Sequence, residues 1–140
     1  MIQTNETFVF ERVQELNRNQ GLNCAQTTLL VLAEKFEFEL HPQIITGSVG
    51  LNGAGLYRAQ CGLVEGVLLF LGVYLPGKNF DKDDVQKTCN LFASKFEAQF
   101  GSLSCSKLRP NGFNDDDPPH LCEELIIDAI KFDIDFISSL

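Results

Sequence analysis

Five cysteines, Cys24, Cys61, Cys89, Cys105 and Cys122, have the widest chemical scope of any residues in this chain. A thiolate sulfur is a nucleophile, a soft metal ligand and one half of a disulfide. The spacings are wide and no two cysteines form a C-x-x-C pair, so neither a zinc ribbon nor a thioredoxin motif is present. Four of the five stand near expected helix starts. Asn23 with Gln26 makes an Asn-x-x-Gln capping box, which puts Cys24 at the first helical position. Ser104 can cap a short turn after Gly101, with Cys105 first in it. Asp117 can cap the last helix with Pro118 at its start, leaving Cys122 within or just past the first turn. Cys61 is expected about one turn into a helix preceded by glycines. Free amide N–H groups and the partial positive charge of a helix start favour thiolate over thiol. Cys89 differs. It lies mid-helix among Val85, Phe92, Phe96 and Phe100 and reads as a small core hydrophobe.

The elements that must position these thiols follow from hydrophobic spacing, which is helical almost throughout. Asn5 to Asn19 carries Val9, Val13 and Leu16 on one face. Asn23 to Glu39 carries Leu29, Leu32, Ala33 and Phe36. Pro42 opens a short helix ending near Gly47. The segment GSVGLNGAG, residues 47–55, has four glycines in nine positions, so its backbone takes unusual conformations or approaches something closely. Tyr57 to Tyr74 is apolar almost all round after Cys61 and is expected to be central in the core, stopped by Pro76 and Gly77. Asp81 caps a helix running to Phe100, and a last helix runs from Pro118 or Pro119 to about Ser138. The expected fold is all-α: a single-domain bundle, residues 1–140, of five to six helices with a Gly-rich loop before a central buried helix.

Charge narrows the function classes. A net charge of −8 with 11 scattered basic residues excludes nucleic acid and an anionic membrane surface as partners. The longest apolar run, Val67 to Leu75, is interrupted by Gly72 and is about half of the ~20 residues a membrane span needs. The N-terminus has neither a basic start nor a long apolar run, which leads to a cytoplasmic expectation. In that compartment thiols stay reduced, so the cysteines are not expected to be static disulfides.

In order, the chain presents NCAQ (23–26), GSVGLNGAG (47–55), CGLVEG (61–66), FGSLSC (100–105) and Cys122. This ordered set resembles the family of redox-active proteins named for its C_GCAxxG_C_C cysteine pattern, over roughly residues 22–130. The resemblance implies that Cys24, Cys61, Cys105 and Cys122 are the working thiols and that Cys89 is the extra one. Two chemistries fit. All four sulfurs could ligate an iron–sulfur cluster or zinc, or they could form one or two reversible disulfides, with three pairings open. A redox partner protein is then expected. The rival from another class is a non-catalytic helical interaction domain, with a homodimer as one form of it, whose cysteines only pack.

Departures from the family pattern bear on the site. Leu63 and Glu65 follow C-G where small residues are usual. Glu65, one turn beyond Cys61, would raise that thiol's pKa, with Arg58 one turn before pulling the other way. Lys107 and Arg109 would favour a thiolate at Cys105 if close in space. Gly62 and Gly66 share a helix face at a cost of about 1 kcal/mol each relative to Ala, so close packing or a cofactor should offset it. Gly53 and Gly55, with these two, are the candidate cofactor-contacting glycines. The 47–55 loop is no Walker loop, lacking a closing Gly-Lys-Ser/Thr, although it could supply N–H groups to a thiolate. His41 and His120 have no ligand spacing to each other and read as solvated loop residues, with His120 the one kept as an extra ligand or base near Cys122. Asp115, Asp116 and Asp117 read as a solvated cap region.

Overall fold

A computed structural model describes residues 4–108 and 123–140. The described residues form seven α-helices: α1 (Asn5–Val13), α2 (Cys24–Lys35), α3 (Pro42–Gly47), α4 (Gly62–Tyr74), α5 (Lys82–Phe100), α6 (Cys105–Leu108) and α7 (Glu123–Ser138). The all-α expectation holds, with more helices than the expected five to six, because the short turn after Ser104 closes as a separate helix. None of these helices is long and apolar enough to cross a membrane.

Helices α1, α2, α3 and α5 each start at a side-chain cap. Thr4 accepts from Thr7 N at 3.1 Å to open α1, and the chain continues as a π-helical turn over Gln14–Asn19 that still buries Leu16. The Asn23 capping box is present on both arms: Asn23 Oδ1 accepts from Gln26 N at 3.0 Å and Gln26 Oε1 accepts from Asn23 N at 3.3 Å. Asp81 and Asp84 make the same reciprocal pair at the start of α5. His41 is exposed and its Nδ1 accepts from Gln43 N at 3.2 Å, so it caps α3.

Two helix boundaries differ from the periodic pattern. The second helix stops at Lys35, not Glu39, because Glu37 turns left-handed (φ 52) and closes a Schellman motif. In it Phe38 N donates to Ala33 O at 2.8 Å and Glu37 N to Glu34 O at 3.2 Å. Glycine usually holds that position, so a glutamate there conceals the stop. The fourth helix begins at Gly62 rather than Tyr57, and the residues before it belong to the glycine loop.

The core packs the first helical stretch, with Val9, Val13 and Leu16 buried, against α7 and α2, and α2 against α4, whose Val64, Val67, Phe70 and Leu71 are fully buried. Helix α2 is the main partner of α4. At the other side Phe92 and Phe96 of α5 meet Phe132 and Phe136 of α7 with ring centroids 5.3–6.2 Å apart. Ion pairs tie the outer faces: Arg12 to Glu34 at 2.7 Å and Arg18 to Glu123 at 3.0 Å. Asp133 of α7 is fully buried, neither carboxylate oxygen has a hydrogen-bond partner among the described residues, and burial pushes its carboxyl well above the usual carboxylate range.

Candidate functional site

The thiols are positioned by backbone. Cys61 is the N-cap residue of α4, extended at φ −63 and ψ 139, so it stands at the mouth of the helix and not one turn inside. The segment before it lies antiparallel to the segment before α6, joined by a single bridge between Gln60 and Ser104. Cys61 N donates to Leu103 O at 2.8 Å and Cys105 N donates to Ala59 O at 2.8 Å. These two bonds hold Cys61 and Cys105 together from opposite sides of a long stretch of chain. Their side chains lie close enough for Cys105 to be the largest influence on the Cys61 thiol. Cys105 begins α6, as expected, although the Ser104 hydroxyl faces that of Ser106 at 3.0 Å instead of serving as a cap.

Cys24 reaches the same corner by another route. It opens α2, whose start is pressed onto the Gly62–Gly66 face of α4. A Cβ at Gly62 would lie 2.9 Å from Ala25 N and 3.2 Å from both Cys24 Cβ and Asn52 Oδ1. One at Gly66 would lie 2.7 Å from Ala25 O. Real Cβ atoms do not approach backbone that closely, so only glycine lets the two helices touch here. This face is therefore filled by a helix start carrying a cysteine. A further bond, Asn23 Nδ2 to Val49 O at 2.9 Å, fastens the start of α2 to the glycine loop.

The glycine loop is a left-handed turn. Gly53, Ala54, Gly55, Leu56 and Arg58 all have φ between 57 and 70. Three of these are not glycine, a strained arrangement costing on the order of 1–3 kcal/mol per residue. Gly53 is buried, and a Cβ there would meet Arg58 Cα at 3.5 Å and Cys105 Cβ at 3.6 Å, whereas Gly55 faces open space. The strained turn thus forms one wall beside Cys105. Its apolar side chains Leu56 and Tyr57 project outward, 75% and 83% exposed.

The electrostatics distinguish the paired thiols. Cys61 is 4% exposed. Its pKa is raised, first by the side chain of Cys105 and then by burial, with smaller contributions from the nearby charges of Cys24 and Cys105. The Leu63 amide pulls it the other way. Burial and Cys105 thus favour the protonated form of Cys61, and Cys105 itself is half-buried. Glu65, expected to act on Cys61, accepts a hydrogen bond from Gln60 Nε2 instead. Arg58 lies in the left-handed turn and not on the helix, and Lys107 is exposed.

None of the four described cysteines is in a disulfide. Cys89 is half-buried against the core, apart from the corner, and burial raises its pKa. Among the described residues no group of three or more His, Cys, Asp or Glu side chains is arranged to hold a metal ion. The described side chains alone therefore do not make a metal-ligand set; what they make is a thiol pair with a third cysteine close by. Cys122, His120, Arg109 and the acidic 115–117 run lie outside the described residues. The signal that the sequence pattern did not carry is the 60–104 bridge, since a single pair of residues has no strand periodicity to announce it.

Fold and corner together define a helical protein with cysteines from separate helix starts collected at one end of a buried central helix. No curated protein and no solved structure matches the chain. The family model described as "Putative redox-active protein (C_GCAxxG_C_C)" matches residues 22–134. The chain belongs to the C_GCAxxG_C_C family.

Proposed function

We propose that this protein is a dithiol–disulfide exchange protein in which Cys61 and Cys105 are the working pair. The observation that supports this reading is the backbone bridge that holds Cys61 and Cys105 side by side, with Cys105 the largest influence on the Cys61 thiol. In the forward direction the Cys105 thiolate attacks the disulfide of a redox partner and forms a mixed disulfide, releasing one partner thiolate. Cys61 then loses its proton and attacks the Cys105 sulfur. A Cys61–Cys105 disulfide forms, and the partner leaves as its dithiol. Two electrons pass to the partner; one of its sulfurs takes the proton given up by Cys61, and the other takes from solvent the equivalent of the proton Cys105 lost on becoming a thiolate. A buried, protonated Cys61 suits the second role, because it stays inert until the mixed disulfide is beside it.

The test is thiol counting with bond mapping. Reduced protein is treated with oxidised glutathione, quenched with acid and digested. The expected result is loss of two of the five thiols, a Cys61–Cys105 cross-link, and recovery of both thiols on adding reductant. Five thiols that stay unreactive until denaturation would leave only a packing role and overturn the reading. So would stoichiometric iron or zinc whose removal alone exposes the cysteines.

A further inference from the structure

The corner holds one more thiol than a dithiol pair needs, and resting on the reading above we infer that Cys24 is a relay thiol that exchanges with the Cys61–Cys105 disulfide. Cys61 is flanked on two sides by sulfurs fixed through backbone contacts. On one side the 60–104 bridge sets Cys105. On the other, the packing of α2 against Gly62 sets Cys24, whose Cβ comes within 3.2 Å of the point where a Gly62 side chain would begin. Gly62 is the next residue after Cys61, so the same close approach that excludes a Cβ carries Cys24 to the Cys61 end of α4. Cys24 is also near enough for its charge to weigh on the Cys61 thiol.

The step is an exchange with no net oxidation. The Cys24 thiolate attacks the Cys61 sulfur of the Cys61–Cys105 disulfide. The Cys24–Cys61 bond forms as the Cys61–Cys105 bond breaks, and the electron pair leaves on Cys105, which regains its thiolate. Cys61 is thus the shared, central sulfur, and Cys105 is returned to its attacking form while the oxidising equivalent is stored one helix further in. Packing alone would explain the Gly62–Gly66 contact with any small residue at position 24. A nucleophilic sulfur at that position is what the relay adds.

Oxidation of Cys105→Ser with oxidised glutathione separates the possibilities. The relay requires an intramolecular Cys24–Cys61 disulfide in this variant, found by bond mapping, and a mixture of Cys24–Cys61 and Cys61–Cys105 bonds in the unaltered chain. Gly62→Ala, which pushes α2 off α4, should reduce the Cys24–Cys61 fraction of the mixture at least several-fold while leaving Cys61–Cys105. If the unaltered chain forms Cys61–Cys105 but neither it nor the variant ever yields Cys24–Cys61, the relay is overturned and the dithiol reading stands. A Cys24 bond to Cys122 in its place would also overturn the relay. If no Cys61 disulfide forms in any protein, both readings fail together.

Discussion

The thiol corner and the phenylalanine seam both place cysteine against the core, and they are built by different means. At the corner the positions of Cys24, Cys61 and Cys105 are set by main chain: a capping box, a two-bond bridge, two glycines that admit Ala25, and a left-handed turn. At the seam, Phe92, Phe96 and Phe100 of α5 meet Phe132 and Phe136 of α7, and ring volume decides the geometry. Cys89 at the edge of the seam has aromatic and aliphatic neighbours and is raised in pKa by burial alone. Cys61 is raised chiefly by another sulfur. Desolvation makes a cysteine inert, whereas a second thiol close by gives it something to react with.

If this contrast is real, the two regions should fail differently. Phe92→Ala should cost about 3–5 kcal/mol in denaturant unfolding, yet leave the oxidised pairing unchanged in the protein that remains folded. Gly66→Ala should cost less, about 1–3 kcal/mol, because α2 must back away from a Cβ that would sit 2.7 Å from Ala25 O. Unlike the seam variant, it should alter which disulfides form, as read by bond mapping. A Gly66→Ala protein of unaltered stability and pairing would show that the close approach does not matter.

The pH dependence offers a finer contrast, because Asp133 and Cys61 are both acids whose folded pKa is raised. Each contributes stability that is complete below its unfolded value and declines as pH rises past it, by at most ~1.4 kcal/mol per pH unit. For Asp133 the loss begins above 3.8. Asp133→Asn should therefore raise the unfolding midpoint at neutral pH, with a gain that shrinks as pH approaches 3.8. For Cys61 the loss begins above 9.0. Cys61→Ser should flatten the alkaline fall in stability seen with the reduced, unaltered chain. Smallest of all, Cys89→Ala should cost about 1 kcal/mol or less and leave thiol exchange rates as they were. A large redox effect from that substitution would erase the distinction between the regions.

What could be read from the sequence follows the same division. The seam was legible because Phe92 and Phe96 repeat at helical spacing, and so were the caps Asn23 and Asp81, whose partners are three residues away. The family's cysteine order was legible too, and it pointed to Cys24, Cys61, Cys105 and Cys122 as a set, of which Cys122 lies outside the described residues. The place of Cys61 was missed by a turn, because Arg58 takes a left-handed conformation that nothing in its side chain announces. The end of α2 was missed for the same reason at Glu37. The Glu65 expectation treated charge as local to one helix and overlooked Gln60, which engages that carboxylate from the extended segment before the helix. The bridge itself could not be seen, since it pairs residues with all of α4 and α5 between them.

That separation has a kinetic corollary. Closing so long a loop is entropically unfavourable for a chain that has not yet collapsed, and only the packed positions of α4 and α5 bring the two short segments side by side. A nascent or partly denatured molecule thus has no built-in means of joining these sulfurs, and oxidation of the pair would report that assembly is complete. In the unfolded chain a shorter loop, such as that between Cys89 and Cys105, closes more readily, so a preference for the Cys61–Cys105 pair among five thiols has to come from the folded helices and not from the chain.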